Sequence, residues 1–363
     1  MSAASFSPDY LTARARFRSG ALALGCAMED HPLGVDGPDG APLTVDVAWL
    51  GSRRPARAVV VSSGLHGVEG FFGSAVQAAL LEDALTGYRP PTDTALVLVH
   101  ALNPYGFAFL RRVNEDNVDL NRNFLRPGEP YAGAPPGYAA LDGLLNPKTP
   151  ETLGDRLMFV PMAAAQILRH GMPALKNAVA GGQYDFPTGL FFGGQRPSRT
   201  VHILREALPR WFVEATRVVH IDLHTGLGKR GAYRLFADHA DGSDEIAALG
   251  GAFDGLVEPW QAGSTSYTIR GGMGTWAKAL LPGCSYDVLA AEFGTESVLD
   301  VIAALRAENR AYHHDAPDAP AARKARERLR DVFAPPDPRW RARVVPAGVT
   351  IVRQALEAAA MPS

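Results

Sequence analysis

Apolar runs of strand length alternate with runs of helical period through most of the chain, and this alternation predicts an α/β sheet flanked by helices. Ala58–Ser62 and Ala95–His100 are short, almost unbroken apolar segments, the pattern of strands covered on both faces. Leu43–Leu50, Arg217–Leu223, Tyr233–Ala237 and Cys284–Glu292 read as further strands. Helical periods run over Pro8–Leu24, Val68–Leu85, Arg156–His170, Ser198–Trp211, Glu245–Leu256 and Glu296–Tyr312. Pro32–Ala41 is rich in Gly, Pro and Asp and reads as a turn, while Leu125–Thr149 has many breakers and no period and reads as a surface excursion. A breaker-rich linker, Asp315–Ala322, leads to a charged helix over Arg323–Phe333, a strand-like Trp340–Val345 and a final helix. The chain thus divides into a main domain over residues 1–314 and a C-terminal extension over 315–363 packed on it, without internal repeats.

Composition narrows the function classes. Of 363 residues, 47% are apolar and 20% charged, enough to bury a large core. The balance of 36 basic against 38 acidic residues gives a net charge of −2, and no basic tract offers an electrostatic footprint for nucleic acid. No apolar run reaches the length of a membrane span, and the opening MSAASFSPDYLTARARF has no apolar core of the signal-peptide kind. Two cysteines, Cys26 and Cys284, make neither a disulfide framework nor a Cys-based zinc site. These features lead us to expect a soluble, cytoplasmic enzyme of small molecules.

Four segments carry candidate chemistry. In VVVSSGLHGVEGFFG, His66 and Glu69 stand where a buried strand passes into a helix, and a histidine and a carboxylate three apart there can converge on one cation. By itself the spacing equally fits a loop histidine followed by a glutamate favoured by a helix N-terminus. In RVVHIDLHTGLG, His220, Asp222 and His224 share a strand face, and His224 lies at the C-terminal end, where open α/β sheets place their sites. His220 reads as a packed or hydrogen-bonded strand residue. In CSYDVLAAEFGTE, Glu292 closes a strand and is a candidate general base, while Glu296 fits a helix start. In NPYGFAFLRRVNEDNVDLNRNF, Asn103, Arg111, Arg112, Asp119, Asn121, Arg122 and Asn123 crowd together without a period, and an Asn–Arg pair offers a planar fork for a carboxylate.

Other patterns fail on context. Asp119-x-Asn121-x-Asn123 lacks the Gly and Glu of an EF-hand loop, with Phe124 and Pro130 in their places. Gly226-x-Gly228-x-x-Gly231 is followed by strand-like rather than helical sequence, which removes the dinucleotide reading. Neither a Gly-x-Ser-x-Gly elbow nor a His-Glu-x-x-His motif occurs.

Taken together and in order, the His-x-x-Glu, Asp-Leu-Asn-Arg-Asn-Phe, Asp-Leu-His-Thr-Gly and strand-terminal Glu segments resemble the zinc carboxypeptidase (M14 metallopeptidase) family over roughly residues 55–310, in its bacterial carboxypeptidase-like branch bordering the aspartoacylase and succinylglutamate desuccinylase group. The resemblance implies a mixed, twisted sheet of about eight strands between helices. It implies one Zn²⁺ held by His66, Glu69 and His224, with Glu292 as general base and Arg112, or else Arg111, polarising the scissile carbonyl. It implies that Asn121 and Arg122 hold a substrate carboxylate, that Asp119 orients His66, and that Tyr267 stands nearest the family's mobile tyrosine. The activity implied is hydrolysis of an amide beside a free carboxylate in a short peptide or modified amino acid. An N-acyl-amino-acid deacylase and a non-catalytic carboxylate- or peptide-binding module remain the alternatives.

Overall fold

Val59, Val60 and Val61 are each 1% exposed or less, so the strand that carries them is covered on both faces. The structure, a computed structural model, describes residues 3–260 and 269–360. Its strands are β1 (Ala27–Asp36), β2 (Pro42–Gly51), β3 (Arg57–Ser63), β4 (Thr94–His100), β5 (Arg217–Arg230), β6 (Tyr233–Ala237), β7 (Val257–Pro259) and β8 (Ser285–Gly294). They form one mixed eight-stranded sheet in the order β1-β2-β4-β3-β5-β8-β6-β7, the architecture expected above. The central run β4-β3-β5-β8 is parallel.

The helices are α1 (Tyr10–Ala23), α2 (Gly70–Ala79), α3 (Pro104–Ala108), α4 (Tyr138–Leu145), α5 (Leu153–His170), α6 (Met172–Ala180), α7 (Arg199–Trp211), α8 (Asp244–Ala252), α9 (Met273–Leu280), α10 (Val298–His314), α11 (Pro320–Phe333) and α12 (Pro338–Ala360). Because strand side chains alternate, Val59, Val61, Val219 and Ile221 enter one core with α1, α2, α8 and α12. Ala58, Val60 and Val218 enter the opposite core with α7 and α9. A third apolar cluster joins α4, α6, α10 and α11 to Val68, just past the end of β3.

Three sequence expectations change. Trp340–Val345 is helical, not extended. Trp340, Val344, Val345, Val349 and Val352 are all nearly inaccessible, and their helical spacing lays α12 along the first core, which outweighs the β preference of the valines. Pro32–Ala41 is not all turn, since β1 continues to Asp36. As an edge strand it tolerates Pro32, beyond which the register with β2 shifts. The Leu125–Thr149 excursion contains α4, whose Tyr138, Leu141 and Leu145 are buried.

Strands β1 to β4 build one half of the sheet and β5 to β8 the other. The connections leave the β3/β5 seam in opposite directions, and such a reversal opens a crevice at the strands' C-terminal ends.

Candidate metal centre and its cavity

The first two candidate ligands come from the turn that ends β3. Gly67–Glu69 forms a single 3-10 turn between His66 and α2. A Cβ on Gly67 would overlap the Gly106 backbone, so a bare glycine is what lets α3 lie against this turn. The amides of Gly67 and Val68 donate to the carbonyls of Arg112 and Arg111, each at 3.0 Å, which fastens the Arg-Arg segment beside His66. Asn103 reinforces the join, its side-chain amide donating to the Arg112 carbonyl at 3.2 Å and its backbone N–H to Gly64 at 2.8 Å.

His224 arrives from β5 across the seam. One ligand atom each from His66, Glu69 and His224 lies within 4.8 Å of the others, and all three residues are buried. His66 Nδ1 is 2.9 Å from Glu69 Oε1, His224 Nδ1 is 3.0 Å from Glu69 Oε2, and the two Nδ1 atoms are 3.2 Å apart. The Thr225 amide also donates to Glu69 Oε2, at 3.1 Å. His224 has its other nitrogen on a carboxylate, Nε2 lying 2.6 Å from Asp222, while His66 Nε2 lies between Asp119 at 3.2 Å and the Arg112 guanidinium at 2.7 Å. Both rings are thereby held with Nδ1 facing the cluster, and the Asp222–His224 pair is the arrangement that orients a histidine toward a metal. Two imidazoles and a carboxylate converging this closely fit zinc by donor type and number.

The electrostatics mark the cluster as a place that favours positive charge. Burial acts to raise the Glu69 carboxyl, but His66 and His224 outweigh it and hold the group well below the usual carboxylate range. Burial likewise opposes the charge on Asp119, and Arg112 and His66 hold it anionic. Burial opposes charge on His224, yet Asp222 and Glu69 raise its pKa well above the ordinary value.

Behind His224 lies a buried polar chain. Ser62 pairs in register with Asp222, and its hydroxyl is 2.5 Å from Asp222 Oδ1 and 2.7 Å from His220 Nε2. His220 Nδ1 in turn meets the Tyr286 hydroxyl at 3.0 Å. His220 is therefore a hydrogen-bonded strand residue, and burial lowers its pKa to about 4, so it sits there neutral. Sequence reasoning placed Asp222 on the right face but gave it no part, and it did not single out Ser62 or Tyr286. The alternation that aligned His220, Asp222 and His224 also sets their neighbours on β3 and β8, which only the pairing register reveals.

Glu292 is the in-register partner of His224 on β8. Its Oε2 is buried without a hydrogen-bond partner among the described residues. Burial, reinforced by the Glu69 carboxylate, pushes its pKa up to about 8.

The two arginines diverge. Arg112 reaches Asp119 through Nε at 3.1 Å, Glu69 through Nη1 at 3.1 Å and His66 Nε2 through Nη2 at 2.7 Å. Arg111 turns away to Glu308 at 2.7 Å and Asn117 at 3.0 Å, with its guanidinium over the Tyr312 ring. Arg122 is fully buried, its Nε and Nη2 donating to the Ala180 carbonyl at 3.0 and 2.7 Å. The Asn121 carbonyl oxygen accepts from Arg122 Nη1 at 2.7 Å, and its side chain accepts from the Met273 amide at 3.4 Å. Tyr267 lies outside the described residues.

Glu69, Arg112 and Glu292 line one end of a cavity of about 160 Å³. The rest of its wall is almost wholly apolar, drawn from α4, α5, α6, α10 and Phe333. At its rim Gly226, with φ of +119°, bends β5, and the pairing with β8 shifts beyond Thr225. The strand thus continues past His224 rather than ending there.

Comparison with known proteins gives one family and a set of distant structures. A family described as "Protein of unknown function (DUF2817)" matches residues 6–347. No curated protein matches the chain. Among solved structures, bovine thrombin-activatable fibrinolysis inhibitor in complex with tick carboxypeptidase inhibitor is 11% identical, with 97% of each chain covered and a TM-score of 0.45. Carboxypeptidase A from Helicoverpa armigera is 11% identical over 91% of this chain and 74% of its own, with a TM-score of 0.46. A protein from Shewanella amazonensis SB2B, described as of the succinylglutamate desuccinylase/aspartoacylase family, is 18% identical over 85% of this chain and 73% of its own, with a TM-score of 0.40. Among the described residues no helix is long and apolar enough to cross a membrane.

Proposed function

The chain belongs to the DUF2817 family, and from the site it carries we propose that it is a zinc-dependent hydrolase cleaving an amide bond next to a free carboxylate, in a short peptide or an acylated amino acid. The observation that carries this reading is the in-register pairing of His224 with Glu292, which sets a partnerless carboxyl oxygen beside the His66–Glu69–His224 cluster. A module that only bound its ligand would have no use for that carboxyl.

His66, Glu69 and His224 would hold the ion, which when bound supplies Lewis acidity toward a carbonyl and acidifies water. Glu292 takes a proton from the attacking water and delivers it to the leaving nitrogen, a task suited by a pKa near the working pH. Arg112, held by Glu69, Asp119 and His66, presents positive charge to the cavity beside the metal ligands, where negative charge would gather on the scissile oxygen. Asp222 and Asp119 keep the two imidazoles aimed. Asn121 and Arg122 are assigned the substrate carboxylate, and Arg122 takes it by exchanging the Ala180 carbonyl.

Metal content by mass spectrometry on untagged protein tests the centre. Wild type should carry about one zinc per chain, and His224→Ala should carry none. Glu292→Gln should keep the zinc and lose turnover of short peptides or N-acyl amino acids by roughly 10²-fold or more, since general acid–base catalysis contributes on that order. Wild-type protein that takes up no metal after incubation with zinc would overturn the reading.

A further inference from the structure

The chain Asp222–Ser62–His220–Tyr286 behind His224 crosses three neighbouring strands, β5, β3 and β8, and every member is at most 3% exposed. Four polar side chains inside a sheet are costly unless each hydrogen bond is made. Val60, which pairs with His220 in register, and Val218 belong to the apolar core on the same face, where hydrocarbon would pack as well.

Counting protons fixes the direction of each hydrogen bond. Burial holds His220 neutral, its pKa lowered to about 4, so its ring carries one N–H. The Tyr286 hydroxyl has one partner among the described residues, His220 Nδ1 at 3.0 Å. If it donates there, His220 Nε2–H donates to Ser62 Oγ at 2.7 Å, and the Ser62 hydroxyl donates to Asp222 Oδ1 at 2.5 Å. The reverse direction would leave the Tyr286 proton without an acceptor and no hydrogen between Ser62 and the Asp222 carboxylate. Only the first direction satisfies every group. Asp222 Oδ2 then accepts from His224 Nε2–H at 2.6 Å, and Nδ1 is the nitrogen that His224 turns to His66 and Glu69. His66 has a different support, its Nε2 lying between Asp119 and Arg112.

We propose that Tyr286, His220 and Ser62 are positioning residues, a one-way hydrogen-bond chain that acts through Asp222 to hold His224 in the tautomer and orientation that bind zinc. This rests on the metal centre of the hydrolase reading above.

The test is the zinc Kd of the full chain, measured by competition with a chromophoric chelator, together with nitrogen NMR of histidine-labelled protein near neutral pH. Ser62→Ala should weaken zinc binding about tenfold, the low end of the loss when an outer hydrogen-bond partner of a metal site is removed. Tyr286→Phe, which deletes one oxygen further along the chain, should weaken it about threefold. Ser63→Ala removes an equally buried hydroxyl, bonded to Gln77 on the opposite face of β3, and should leave the Kd unchanged. The spectrum should show His220 protonated at Nε2 alone, its signal identified by its loss in His220→Gln. If Ser62→Ala fails to fold, Tyr286→Phe and the wild-type spectrum decide. A Kd unchanged in Ser62→Ala and Tyr286→Phe while Tm falls would make the chain a packing device and overturn the proposal, as would His220 protonated at Nδ1, and the zinc centre would stand in either case. A wild-type chain that binds no zinc would overturn the metal centre, and the proposal with it.

Discussion

Glu292 shows how a single residue's surroundings set its chemistry. Folding takes its carboxyl out of water and places it near Glu69, and the folded chain holds a proton there up to about pH 8. The unfolded chain releases that proton near the ordinary value of 4.5. Between these values the native state binds more protons than the unfolded one, so this group makes stability fall as pH rises from about 4.5 to about 8. In chelator-treated protein, Glu292→Gln should therefore melt above wild type at pH 8 and level with it near pH 5, as thermal scans at the two pH values would show. A melting difference independent of pH would rule out this account. The meeting of His66, Glu69 and His224 was legible through the resemblance of their segments to the zinc carboxypeptidases, not from position alone, since β5 runs on past His224 to Arg230. The part played by Asp222 was not, since its contact with His224 depends on ring orientation, which alternation along a strand leaves open. Arg111 and Arg112 are indistinguishable as a pair of letters. Their separation comes from which one has Glu308 on its side and which has Asp119.

Among elements, α5 is the most unevenly supported. Thr152 and Asp155 close its N-terminus with a capping box. Phe159 is the only fully buried residue along its 18-residue length among those described, and Pro161 interrupts its interior. Leu153, Leu157, Met158, Val160, Met162 and Leu168 face solvent, the last 88% exposed, and add nothing to its anchorage. A helix so thinly packed opens locally at low cost. Amide exchange along α5 should accordingly be much faster than along β5. An N-acyl amino acid bound in the cavity at ten times its Kd should slow it about tenfold, because opening this wall would release the ligand. Equal exchange with and without the ligand would show that α5 does not gate the cavity. The sequence revealed the helix but not its use, because a helical period records apolar positions without saying what they face. The same blindness to partners turned Trp340–Val345 into an expected strand. Its valines favour extended backbone, and only the sheet face that α12 covers makes the helix the better arrangement.

At the scale of the molecule, the candidate ligands straddle the two halves of the sheet. His66 and Glu69 belong to the β1–β4 half, His224 and Glu292 to the β5–β8 half. A divalent ion held by both would bind only the assembled sheet and raise its stability by linkage, by about 2.7 kcal/mol at a hundred times Kd. Zinc should therefore raise Tm by a few degrees in wild type and not in His224→Ala, read by scanning calorimetry. The same seam bears on the chain's synthesis. From Ser63 at the end of β3 to Arg217 at the start of β5 there are 154 positions of chain. At cellular rates of translation that stretch takes roughly 8–30 s to emerge. Throughout that interval the valine-rich edge of β3 has no neighbour on the side that β5 will occupy, and an open apolar edge is a template for pairing with other chains. The newborn protein thus passes through a window in which the crevice that will hold its candidate metal centre is an unprotected sheet edge, and a chaperone holding the chain would be needed most there.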